Sequence, residues 1–164
     1  MNDACDRAYY MEVETNPFPA VMGRVCPHPC ESHCNRNDKD GAVAINSVER
    51  FIGDWGITRK LPLKPIDDGG PFPERIAVVG SGPSGLSCAY QLARRGYAVT
   101  VFEAFDKPGG MLRYGIPQYR LPRNVLDAEI QKILYLGGEL KLSSAIGDAL
   151  SLEDLRTQYD AVFV

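Results

Sequence analysis

The sequence contains no run of 18 apolar residues, so no hydrophobic membrane-spanning helix is expected. Its opening residues, Met1-Asn2-Asp3-Ala4-Cys5-Asp6, have neither a basic n-region nor an apolar h-region. No secretory signal is expected, and a cytoplasmic setting follows. There is no excess of one charge: 18 Lys and Arg stand against 21 Asp and Glu, for a net −3. That balance gives no reason to expect nucleic acid as a partner. No internal repeat and no low-complexity tract occurs. What remains is a chain of 164 residues, 45% of them hydrophobic, enough for a packed core of one to one and a half small domains.

Five cysteines are present, at 5, 26, 30, 34 and 88, and three of them fall within nine residues. In a chain without an export signal, such crowding points to metal or cluster binding before disulfides. The stretch Cys26-Pro27-His28-Pro29-Cys30-Glu31-Ser32-His33-Cys34 is C-x₃-C-x₃-C. Thiolates are soft ligands for iron–sulfur iron or for zinc. The spacing matches neither the C-x₂-C-x₂-C of ferredoxins nor a zinc-finger pair. His28 and His33 could complete a zinc site, so iron–sulfur, zinc and free thiols all stay open on spacing. Cys5, flanked by acids, and Cys88, on an apolar helix side, read as bland residues.

Two regions are expected: a cysteine-rich helical part over 1–56 and a βαβ-type part over 75–164. Residues 57–74 join them, and four prolines and two glycines within 58–73 forbid regular structure there. In the first region Val43, Ile45, Val48, Phe51, Ile52 and Trp55 recur at helical spacing, with Gly53 and Gly56 placed to end the helix. In the second, strands are expected at 75–79, 98–102, 139–142 and 161–164. Helices are expected at 84–95, from Pro122 to about 136, and after a Ser151-x-x-Asp154 capping box. This alternation predicts an α/β fold with a parallel sheet.

The segment Gly80-Ser81-Gly82-Pro83-Ser84-Gly85 follows a strand and opens a helix. In that setting G-x-G-x-x-G is a dinucleotide signature. Gly80 permits the turn, Gly82 lets a pyrophosphate approach the backbone, and Gly85 lets helix and strand pack closely. The helix N-terminus adds unpaired N–H donors and partial positive charge. Glu103, 18 residues beyond Gly85, is placed to accept ribose hydroxyls. A carboxylate there repels a 2′-phosphate, so FAD or NAD fits better than NADP.

The run Asn16-Pro17-Phe18-Pro19-Ala20-Val21-Met22-Gly23-Arg24-Val25-Cys26-Pro27-His28-Pro29-Cys30-Glu31 resembles the small subunit of NADPH-dependent glutamate synthase. It also resembles relatives of that subunit: the N-terminal half of dihydropyrimidine dehydrogenase and the large subunit of the electron-bifurcating ferredoxin–NADP transhydrogenase. The resemblance continues through Gly109-Gly110-Met111-Leu112-Arg113-Tyr114-Gly115-Ile116-Pro117-Gln118-Tyr119-Arg120-Leu121-Pro122 and spans residues 16–164. It implies a helical iron–sulfur domain followed by a Rossmann-like FAD domain. It implies [4Fe–4S] ligation by Cys26, Cys30 and Glu49 for one cluster and by Cys34 for another. It places Val25, Gly110, Met111, Arg120 and Ile146 along the FAD site, with the 80–85 loop (Ser81, Pro83 and Ser84 included) and Glu103 on its ADP end. It implies no general base or nucleophile. Electrons would pass between NAD(P)H, FAD and clusters to a partner redox subunit or to further parts of the same polypeptide. Two departures stand out. The family's upstream C-x₂-C-x₄-C-x₃-C group is represented here only by Cys5. The sequence also stops at Val164, before the family's inserted NAD(P)H domain. The chain therefore reads as an N-terminal piece, inactive in pyridine-nucleotide oxidation by itself.

Overall fold

Apolar β-branched runs separated by glycine-terminated helices fold as a parallel sheet covered by helices. The computed structural model describes residues 2–66, 70–147 and 150–164. Asp67, Asp68 and Gly69 of the expected joining segment lie outside the described residues, as does Met1.

Four strands, β1 (Arg75–Val79), β2 (Ala98–Phe102), β3 (Glu139–Lys141) and β4 (Ala161–Phe163), pair in parallel in the order β3-β2-β1-β4. Central β1 and β2 bury consecutive residues, Ile76 to Val78 and Val99 to Phe102, because helices cover both faces of a parallel sheet. Eight helices run α1 (Asn2–Val13), α2 (Pro19–Val25), α3 (Pro29–Ser32), α4 (Ile45–Thr58), α5 (Pro83–Ala93), α6 (Gly110–Tyr114), α7 (Arg123–Leu134) and α8 (Leu152–Gln158) among the described residues. α5 turns Leu86, Ala89, Tyr90 and Ala93 inward, and α7 turns Val125, Leu126, Ile130 and Ile133 inward. Each fully buried Leu, Ile or Val among them contributes roughly 1.5–3 kcal/mol. Ser151 and Asp154 form the expected capping box at the start of α8.

The helix in the cysteine-rich part departs from expectation. Gly53 and Gly56 do not end α4, which runs on to Thr58. They are its two buried residues. A Cβ on Gly53 would lie 2.2 Å from the nitrogen of Ala20, and one on Gly56 would lie 2.2 Å from the Tyr9 ring. On the facing helix, a Cβ on Gly23 would lie 2.5 Å from Cα of Arg50. The helices thus touch backbone to backbone, and glycine serves contact rather than termination. Part of the apolar stripe then faces outward, with Ile45, Val48 and Phe51 exposed, while Ile52 packs against the core.

The cysteine-rich part and the sheet share one core. Tyr9, Val13, Phe18 and Val21 pack in the same cluster as Ile76, Val78, Leu86, Val101 and Leu126. The proline-rich stretch is irregular but anchored. Leu63 is buried, Ile66 N–H donates to Arg94 O at 2.6 Å, and Phe72 stacks on Tyr97 at 4.6 Å.

Candidate functional site

Register places the glycine loop and the acid side by side. Val79 pairs with Phe102, so Gly80 and Glu103 leave the carboxyl ends of adjacent strands. Ligands of open α/β sheets bind at that edge. Gly80 has φ +93°, and its N–H donates to Phe102 O at 2.7 Å. The space above Gly80 and Gly82 is open, with nothing within 4 Å of a Cβ there. Gly85 is the opposite case: its Cβ would lie 1.9 Å from Gly80 O. Pro83 and Ser84, both exposed, form the first turn of α5.

Ser81 is fully buried and organises this edge. Its hydroxyl donates to Glu103 Oε2, and its N–H donates to the same oxygen at 2.9 Å. Its own Oγ and carbonyl both accept the Gly109 N–H, at 3.1 and 3.0 Å. Phe105 N–H donates to Glu103 Oε1 at 3.0 Å. Burial alone would raise the Glu103 carboxyl. The Ser81 hydroxyl and the N–H groups of Phe105, Ser81 and Ala104 outweigh it and hold the group below its ordinary value. Glu103 is therefore a carboxylate already bound to its own loop. Ile146 lies close by: Ser144 N–H donates to Glu103 O at 2.8 Å, and Ile146 packs beside Ala77 and Phe102.

The second family segment meets the loop directly. Gly110, at φ +49°, approaches so closely that its Cβ would lie 2.7 Å from Cα of Gly82. Met111 is 70% exposed at the start of α6. Arginines hold the rest of the segment. Arg113 is buried and pairs with Asp127, and Arg123 donates to Leu112 O at 3.0 Å and Ile116 O at 2.7 Å. Neither arginine stands out in the sequence, since their partners carry no spacing signal. Arg120 reaches across to the other region and donates to Val25 O at 3.2 Å. A polar cleft of about 440 Å³ opens there, lined by Cys26, His28, Arg24, Arg50, Tyr119 and Arg120 among others.

The cysteine loop is looser. Cys26 is half-buried and its Sγ accepts the His28 N–H at 3.4 Å; Cys30 is exposed on α3. N–H donation from Val43 and then Arg36 lowers the Cys34 thiol. Glu31 joins the loop to α4, taking Asn46 N–H at 2.9 Å and lying 3.1 Å from His28 Nδ1. His33 Nδ1 sits 3.1 Å from Pro29 O. Glu49 takes the Asn16 amide at 2.7 Å; burial and then Glu12 raise its carboxyl, against that bond. Among the described residues no three Cys, His, Asp or Glu side chains converge as a metal site. The loop does not bring Cys26, Cys30, Cys34 and Glu49 together, but its donors suit iron: thiols supported by backbone N–H groups.

Comparison with known proteins gives the class first. Residues 1–61 match the family of dihydropyrimidine dehydrogenase domain II with a 4Fe–4S cluster. Residues 78–131 match the NAD(P)-binding Rossmann-like domain family. This is an iron–sulfur-type domain followed by a Rossmann-like one. The chain is 41% identical over 88% of its length to the NADP(+)-dependent formate dehydrogenase subunit beta of Moorella thermoacetica, covering 23% of that protein. It is 38% identical to the Bacillus subtilis glutamate synthase [NADPH] small chain, over 93% of this chain and 31% of the relative. It is 39% identical to the NAD-dependent dihydropyrimidine dehydrogenase subunit PreT of Escherichia coli, over 92% of this chain and 37% of the relative. The chain thus spans between a fifth and two fifths of these relatives' lengths. Among solved structures, Mycobacterium tuberculosis FprA in complex with NADPH aligns with TM-score 0.51 and 25% identity, over 56% of this chain and 22% of that one. The chain is thus similar to glutamate synthase small chains and to dihydropyrimidine dehydrogenase-like relatives. No described helix is long and apolar enough to cross a membrane.

Proposed function

We propose that this chain is part of an NAD(P)H-dependent flavin and iron–sulfur oxidoreductase, in which it anchors FAD and presents cysteine ligands to [4Fe–4S] iron. Electrons pass between NAD(P)H, FAD and cluster, and on to a partner redox subunit or to further parts of the same polypeptide. The observation that carries this reading is the juncture at Arg120. Its guanidinium ties the segment that continues from Gly110 and Met111 to Val25, one residue before the cysteine loop.

In this reading residues 1–56 form the cluster part, 57–74 the joint and 75–164 the FAD part. Gly80, Gly82 and the N–H groups at the start of α5 receive the pyrophosphate. Glu103, held ionised by Ser81, accepts the ribose, and Ile146 borders that end. Gly110, Met111, Val25 and Arg120 flank the flavin. Cys26, Cys30, Cys34 and Glu49 supply iron ligands, and the 4Fe–4S family match supports iron over zinc. Bound FAD supplies the exchange between two-electron and one-electron chemistry. Five free thiols fit a reducing, cytoplasmic setting.

Anaerobic purification of the chain, with iron, sulfide, zinc and flavin measured, tests the proposal. The expected product is yellow-brown, with FAD near one per chain and iron with sulfide. Stoichiometric zinc without iron, or a chain that binds no flavin under FAD saturation, would overturn it.

A further inference from the structure

Helix α2, which leads into the cysteine loop, is fastened at both ends by one stretch of the nucleotide-binding half. At its start, Glu129 of α7 accepts Ala20 N–H on Oε1 at 2.9 Å and Val21 N–H on Oε2 at 3.0 Å. At its end, Arg120 holds the carbonyl of Val25. Between these points α2 has no slack, since Gly23 and Gly53 bring its backbone against α4.

Glu129 is an unexpected residue for its place. It is 2% exposed, in the middle of the apolar stripe of Val125, Leu126, Ile130 and Ile133. A leucine there would continue the stripe without the desolvation cost of a carboxyl group. The local chain explains what the carboxyl does. The N-cap position of α2 is Phe18, which offers no side-chain acceptor. The first-turn N–H groups of α2 are therefore capped from 109 residues away. The charged and titratable neighbours are Lys132 on the same helix, Arg24 on α2 and Tyr9 on α1. Arg24 is engaged by Asp54 of α4 at 2.8 Å, and Lys132 donates to the Tyr9 hydroxyl at 3.1 Å. Neither cation forms an ion pair with Glu129; the two backbone N–H groups are its hydrogen-bond partners.

We infer that Glu129 is a positioning residue for electron passage. By gripping the first turn of α2 it sets where Val25 and Cys26 fall against the 110–122 segment. This rests on the reading above, in which α2 enters the cluster loop and that segment flanks the flavin. Without the grip, the hydrogen bonding from the nucleotide-binding half to α2 would be left to the exposed contact of Arg120 at one end.

The test has two arms, on the full chain with Glu129→Gln and Glu129→Leu. In amide hydrogen exchange, the Ala20 and Val21 amides should exchange at least tenfold faster in Glu129→Leu. One of the two should do so in Glu129→Gln, whose amide keeps a single acceptor. Amides of β1 and α5 should not change in either variant. In chain loaded with FAD and iron–sulfide, photoreduced flavin should pass its electron to the cluster at least tenfold more slowly in Glu129→Leu. Flavin content and the flavin absorption spectrum should stay as in wild type. Unchanged exchange at Ala20 and Val21 in Glu129→Leu would overturn the inference. So would faster exchange combined with an undiminished flavin-to-cluster rate. Wild-type chain that takes up neither FAD nor iron would sink the oxidoreductase reading instead, and the exchange arm would still report whether Glu129 fixes α2.

Discussion

The glycine loop and the cysteine loop are built on opposite plans. At the glycine loop, Ser81 is fully buried, Glu103 is 5% exposed, and backbone and side chain interlock through Gly109 and Gly110. At the cysteine loop, Cys30 is exposed, and the bonds of His28, Glu31 and His33 stay within a few residues, apart from Glu31 to Asn46. On the proposed reading, the difference follows from what each ligand would supply. A pyrophosphate is recognised by backbone N–H groups that must already point the right way. An iron cluster binds through strong ligand bonds, and its binding energy can itself draw ligands together. The first site is specified by covalent geometry, the second by donor chemistry.

The joint between the two should give the largest effect. Burial raises the Glu129 carboxyl to about 8, against the N–H groups of Ala20 and Val21 and the charges of Lys132 and Arg24. The native chain then keeps a proton that the unfolded chain releases at an ordinary carboxyl value. Stability present at pH 4.5 should fall as pH rises to about 8, by on the order of 3–5 kcal/mol. Urea denaturation across that range should show the slope, and Glu129→Gln should flatten it.

Next come the glycines. Gly85→Ala should cost about 3 kcal/mol, since its Cβ meets backbone rather than a movable side chain, and FAD retention should fall with it. Gly53→Ala should cost a similar amount while leaving flavin affinity within about twofold, if the two halves keep separate tasks. Equal loss of flavin in both variants would break that distinction.

Ser81→Ala should cost about 1–2 kcal/mol by removing the hydroxyl between Glu103 and Gly109. The Glu103 carboxyl should rise, measurable by carboxyl NMR titration. The smallest effect is expected at Arg36→Ala, which removes an exposed ion pair with Asp40. About 0.5 kcal/mol or less is expected in thermal unfolding.

The legibility of the sequence followed the same division. Strand, glycine loop, helix and capping box were readable because each depends on neighbours in the chain. The strand order and the bond from Gly80 to Phe102 were not read from the sequence, because which strands pair is decided by contacts far apart in the chain. The α4 glycines were misread as stops, because a glycine inside a helix and one ending it differ only by what packs against them. Ile45, Val48 and Phe51 were at helical spacing yet face outward for the same reason. Glu129 interrupts an apolar stripe, but nothing local points to its partners, which are 108 and 109 residues away. Helix α1 was not foreseen, since its polar sequence gains order mainly from Tyr9 and Val13 in the shared core.

That shared core bears on how the chain is made. Tyr90 donates its hydroxyl to Val13 O, Arg94 to Glu14 O at 2.8 Å, and Glu129 receives α2. Residues of α1 and α2 therefore find partners on α4 first, and those on α5 and α7 only 77 to 109 residues further along the chain. Long-range closure of this kind is slow. During translation α2, which leads into the cysteine loop, is therefore capped by Glu129 only after α7 has been made.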